Sequence, residues 1–132
     1  MAIGGTNGEA SAALIFGMPV YPSAVDTYVR AQANASGSCG VVGLIGDASD
    51  AHGAAVNVVL GGILSGSTAQ WGAIITGTPA GLTFNADYWL DPATPGFITA
   101  TAPSTVGQYV VHLGKALSTT EMAIQIYFVL GL

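Results

Sequence analysis

Charge is what this sequence has least of. Two basic residues, Arg30 and Lys115, and seven acidic ones amount to 7% of 132 residues, for a net charge of −5. An ordinary soluble domain is about 25% charged. Two isolated cations give no basic footprint for phosphate contacts, which speaks against direct nucleic-acid binding. Cysteine is nearly missing too. The lone Cys39 has no partner for an internal disulfide, in keeping with folding in a reducing cytoplasm. Long apolar runs are absent: no window of about 18 residues escapes glycine, polar groups and turn signals, so no transmembrane helix is expected. The opening MAIGGTNGEA has neither a basic n-region nor a continuous apolar h-region, so no signal peptide is expected.

Catalytic constellations are equally scarce. Asp47-x-x-Asp50-x-His52 has ligand types at a usable spacing, but it lacks the oxygen set and central glycine of a calcium loop. One histidine makes a poor zinc site, so the segment reads as a solvated turn. His112 lies in an alternating strand with no Gly-x-Ser-x-Gly elbow near it, and reads as half-buried or interfacial. Cys39, with no His or Asn close by in sequence, reads as a small apolar strand residue. Lys115 follows Gly114 but precedes Ala116, so no phosphate loop forms. These residues point to a protein that is not an enzyme and has no metal or cofactor.

What the sequence does hold is apolar side chains and turns: 51% hydrophobic residues and 19 glycines. A soluble chain this apolar and this weakly charged is expected to hide surface against copies of itself or a partner. Residues 1–12, small and polar, read as a flexible arm able to pair with a neighbouring chain by strand addition. Residues 13–132 read as one domain. Short strands are expected at 13–16, 27–30, 39–45, 55–60, 87–90, 97–101 and 108–113, with 19–22, limited by proline, at a sheet edge. A turn is expected at 78–81, and one helical turn capped by Ser67. The clearest signal is the last strand, with Met122, Ile124, Ile126, Phe128 and Leu130 on one face and Ala123, Gln125, Tyr127 and Val129 on the other. Both faces are apolar, so both are expected to be covered. The fold class is all-β: a single antiparallel β-sandwich or small barrel with a flexible N-terminal arm.

The turns are densest after residue 86. Tyr88-Trp89-Leu90-Asp91-Pro92, then Pro95-Gly96-Phe97-Ile98-Thr99-Ala100-Thr101-Ala102-Pro103, then Gly107-Gln108-Tyr109-Val110-Val111-His112-Leu113-Gly114-Lys115-Ala116-Leu117-Ser118, resemble a β-domain of tailed-bacteriophage virion proteins. Val41-Val42-Gly43-Leu44-Ile45 and Thr68-Ala69-Gln70-Trp71 add to the likeness, which covers residues 86–130 with weaker similarity from residue 13. The resemblance implies a virion structural protein with no catalytic residues to transfer. Its leading form is a capsid decoration, or cement, protein: a homo-oligomer, most often a trimer, assembled in the host cytoplasm and bound to the major capsid protein on the outside of the head. The alternative is a tail or head fibre domain that binds a host receptor or glycan, which the lack of a long stalk disfavours. The motif itself is turn chemistry. Pro95-Gly96 fixes a reversal with positive φ at the glycine, and Gly114-Lys115 is expected to swing the chain into the last strand. Interface candidates are Ile3 and Glu9 on the arm, with Tyr88, Trp89, Tyr127 and Phe128 on the strands.

Overall fold

Glycine and proline cut the chain into short extended segments, which a computed structural model, describing residues 2–10, 12–75 and 81–132, places in three sheets. The strands are β1 (Ala2–Asn7), β2 (Leu14–Ile15), β3 (Pro19–Ala24), β4 (Thr27–Arg30), β5 (Gly43–Ile45), β6 (Ser49–Asp50), β7 (Ala55–Val59) and β8 (Gly62–Ser65). The short helix α1 (Thr68–Gly72) follows, and then β9 (Asp87–Leu90), β10 (Ile98–Thr99), β11 (Tyr109–Ala116) and β12 (Glu121–Gly131). The expected turn at 78–81 lies outside the described residues except for Gly81.

Strands β1, β4, β3, β5 and β7 close into a barrel, while β10, β9, β11, β12 and β8 form an open sheet in that order. A small third sheet joins β2 to β6. The fold is therefore all-β, with one parallel pair, β1 with β4, among antiparallel ones. Barrel and open sheet share a core in which Leu14, Val20, Leu44, Val58, Trp71, Tyr88, Leu90, Leu113 and Met122 are fully buried. β7 shows the cause plainly: Val56 and Val58 point inward while Ala55 and Asn57 are exposed, the two-residue period of a half-buried strand.

The flexible arm expected at 1–12 is corrected. Ala2–Asn7 is a barrel strand, laddered along β7 from Ala2 opposite Val59 to Thr6 opposite Ala55. Its anchor is Asn7, wholly buried. The Asn7 amide donates to the carbonyls of Ala12 (3.1 Å) and Asp50 (2.8 Å), and its oxygen accepts from the Glu9 N–H. Glu9 in turn accepts from both the backbone N–H and the guanidinium of Arg30. Main-chain pairing and buried polar bonds hold this segment, and neither leaves a hydrophobic pattern in sequence.

Other readings shift too. β3 is interior, between β4 and β5, rather than an edge. Its prolines fit because β5 covers only Pro19 and Val20, leaving Pro22 paired on one side. β11 does not turn at Gly114 but runs on to Ala116, and the reversal comes at 117–120, where Leu117 N–H reaches Glu121 O. Gly114 is there for closeness: a Cβ would collide with the Ala123 carbonyl. Cys39 is buried but lies outside any strand. β6 forms inside the segment read as a solvated turn, β8 is unexpected, and the strands expected at 13–16 and 97–101 shrink to β2 and β10, while two local readings agree. Ser67 caps α1 through a capping box with Gln70, and Gly96 has φ +76°.

Candidate assembly surface

β11 is the spine of the open sheet, and its register decides what the surface shows. Relative to β9 it carries one extra residue, Leu113: His112 faces Trp89, and Gly114 faces Tyr88. The successive side chains Tyr88 and Trp89 thus take opposite faces. Tyr88 is fully buried, with its hydroxyl accepting from the Thr83 N–H at 2.8 Å. Tyr88 is therefore no interface residue in the folded chain. Trp89 is half-buried and meets His112 edge-on at 5.1 Å.

On the other side, His112 lies opposite Tyr127 of β12, and their rings stack at 4.6 Å. Trp89, His112 and Tyr127 form one aromatic row across three strands. Each nitrogen of the buried imidazole meets an oxygen: Nδ1 the Gln125 carbonyl at 2.7 Å, Nε2 the Asp87 carboxylate at 3.0 Å. The hydrogen bond from His112 holds the Asp87 carboxyl below the ordinary carboxylate range, with Lys115 adding to the effect. With both nitrogens engaged by the fold, the imidazole is a structural strut across the sheet.

β12 keeps register with β11 from Met122 to Ile124, and between Ile124 and Tyr127 it sets two residues, Gln125 and Ile126, against Leu113 alone. A bulge at Val129 then places Leu130 opposite Val110, on the face of Tyr127 rather than that of Phe128. β8 pairs only with Glu121 through Ile124. Beyond that point the outer edge of β12 has no strand beside it among the described residues. Tyr127, Phe128, Val129, Leu130 and Leu132 are 40–57% exposed, and no charged side chain occurs from 122 to 132. The expectation that both faces of this strand are covered fails for its second half within a single chain. Natural edge strands are usually guarded by charge or proline, and this half of β12 has neither; its irregular register is its guard.

Of the six interface candidates, Tyr127 and Phe128 lie on this edge. Phe128 also leans on Tyr109, ring centres 6.3 Å apart. Ile3 is half-buried in the barrel strand β1, and Glu9, just past the end of that strand, is bridged to Arg30. Sequence reasoning missed Val129, Leu130 and Leu132 as exposed residues. The missing signal is the length of β8, which depends on long-range pairing.

Other features are chemically quiet. A cavity of about 270 Å³ is lined by Ile15, Phe16, Ala48, Ala69, Gln70 and Ala73, without a titratable group. The 47–52 segment is not simply the solvated turn expected: Ser49 and Asp50 pair with β2 as β6, Asp47 accepts the Asn57 N–H and His52 is exposed. Burial and the Asp47 carboxylate push the Asp50 carboxyl up to about 6. Burial pushes the Cys39 thiol up as well. Among the described residues no three His, Cys, Asp or Glu side chains gather as a metal ligand set, and no helix is long and apolar enough to cross a membrane. The chain matches no family model and no curated protein.

Proposed function

We propose that this chain is a non-enzymatic structural protein of a tailed-phage virion. In the leading form it is a capsid decoration protein that binds the major capsid protein on the outer surface of the head as a homo-oligomer, a trimer in the arrangement the resemblance implies. The observation that carries the reading is the build of the open sheet. The phage-like motif of residues 86–118 supplies β9, β10 and β11, and this frame presents the uncharged, apolar second half of β12, beyond its pairing with β8, at an open edge. An exposed apolar patch of this kind marks an interaction surface. A decoration protein needs rigid shape and contact area, and many weak contacts multiplied by oligomerisation hold it in place.

The test is to image the virion that carries the chain and, in parallel, to add purified chain to heads that lack it. Density on the outer head surface and saturable binding that protects heads against loss of DNA are expected. Density at a fibre tip, with no binding to heads, favours the receptor-binding alternative.

A further inference from the structure

We infer that His112 and Asp87 hold one shared proton, and that this proton is a pH-sensitive lock on the aromatic row of Trp89, His112 and Tyr127. The inference concerns the surface the open sheet presents, and it holds wherever in a virion the chain sits.

The proton follows from the partners of the ring. A backbone carbonyl only accepts, so Nδ1, 2.7 Å from the Gln125 carbonyl, must carry a hydrogen. A neutral imidazole has a single N–H, which leaves its Nε2 a bare acceptor. That nitrogen faces Asp87 Oδ1 at 3.0 Å, and an ionised carboxylate also only accepts. Two bare acceptors at hydrogen-bond distance repel each other. One more proton therefore lies between Nε2 and Oδ1, on the imidazole or on the acid. The contact holds the Asp87 carboxyl below its ordinary range, which puts the proton on the ring. His112 is an imidazolium beside a carboxylate.

The neighbouring groups suit that cation. Tyr127 lies almost flat on the ring, with centroids 4.6 Å apart and planes at 18°. An aromatic face attracts a cation within about 6 Å. Trp89 meets the same ring at 5.1 Å and 84°, so one imidazole places both of its aromatic neighbours. The charged and titratable groups that face it are Asp87 on β9, Lys115 on β11 and Tyr127 on β12. Lys115 lies opposite Asp87 in the ladder, on the carboxylate side of the pair. The other acids near these strands are engaged elsewhere, Glu121 by the Ser65 hydroxyl at 3.3 Å and Asp91 by the Ala93 N–H at 2.7 Å.

Losing the proton removes two attractions at once. As pH rises, the neutral ring keeps its Nδ1–H and turns the Nε2 lone pair on the carboxylate. Tyr127 loses the cation against its face in the same step. Histidine is the side chain whose ordinary charge change falls nearest neutral pH, and the exposed Asp87 brings solvent to this proton. Tyr127 is 47% exposed, so releasing it changes the outer surface beside the open edge of β12.

The experiment is an NMR titration of the isotope-labelled full chain between about pH 5 and about pH 10, a span that brackets the ordinary histidine range. It follows the ring nitrogens of His112 and the ring contact between His112 and Tyr127. His52, exposed and outside the open sheet, is the control in the same spectra. Both His112 nitrogens are expected to carry hydrogens at the acid end. Loss of the Nε2 hydrogen should coincide with loss of the Tyr127 contact, which the titration of His52 leaves unchanged. Asp87→Asn supplies an amide that donates to a bare Nε2 or accepts from a protonated one, so its ring contact should persist across the range. A bare Nε2 beside an ionised Asp87, with the ring contact intact, overturns the shared proton. A ring contact that outlasts the proton, or that Asp87→Asn loses at the same pH as the wild type, overturns the lock. A proton that stays in place to the alkaline end overturns the pH sensitivity. Should Asp87→Asn fail to fold, the wild-type titration decides alone.

Discussion

The Nε2 of His112 lies 3.0 Å from the Asp87 carboxylate, joining the centre of β11 to the start of β9 beside the exposed end of β12. The contact ties a buried ring to an exposed acid, and it has a pH signature. Asp87 is held below its ordinary value in the folded chain. Its contribution to stability is present above the ordinary carboxylate range, about 4, and is lost as pH falls through the lowered folded value. Melts taken between neutral and strongly acidic pH should show Asp87→Asn losing less stability than wild type at the acid end. Parallel curves would mean that the bond contributes nothing.

Asp50 should behave in the opposite sense. Its folded carboxyl titrates at about 6, above the unfolded value near 4. Above pH 6 the folded chain carries an unfavourable carboxylate, and stability rises as pH falls from about 6 towards 4. Asp50→Asn removes that charge, so it should melt higher than wild type at neutral pH and lose the rise. A variant that melts lower at neutral pH would contradict this assignment.

Asn7 should carry the N-terminal strand. Asn7→Ala leaves the Glu9 N–H and the Ala12 and Asp50 carbonyls without their partner in a buried site. At about 1–3 kcal/mol for an unsatisfied buried group, a loss of roughly 2–4 kcal/mol is expected, with faster amide exchange along β1 and β7. Deleting residues 1–12 should lower the melt further, because it removes a barrel strand. An unchanged melt would restore the reading of a free arm.

Gly96 should be among the least replaceable glycines. Its φ of +76° disfavours any side chain, and a Cβ there would press on the Arg30 stem at 3.0 Å and Met18 Sδ at 3.1 Å. Gly107 shares the positive φ but faces open space. Gly96→Val should cost about 1–3 kcal/mol from strain and more from crowding, while Gly107→Ala should show the strain alone. Equal losses in the two variants would remove the packing part of the explanation.

What could be read from the sequence was what local chemistry writes into it. The alternation at the start of the last strand, with Met122 and Ile124 buried, the Ser67 cap and the Pro95-Gly96 reversal each rest on neighbouring residues, and each is present. Strand β1 was not legible, because Gly4 and Gly5 have no side chain to pattern and the strand is held by β7, some fifty residues away. β8 was hidden for a similar reason, and with it the point where cover on β12 stops. The His112–Asp87 contact depends on the register of β11 on β9, shifted by the bulge at Leu113, and neither spacing nor composition records a bulge. The apolar surface was foreseen as a quantity but not located: Tyr127 and Phe128 were named, while Tyr88, Ile3 and Glu9 went into the fold.

The central claim is that this chain works by assembling, and sedimentation equilibrium of the wild-type protein across the micromolar range tests it most directly. The account predicts a species of three times the 13.1 kDa chain mass, dissociating only on dilution. A single 13.1 kDa species at every concentration would contradict it.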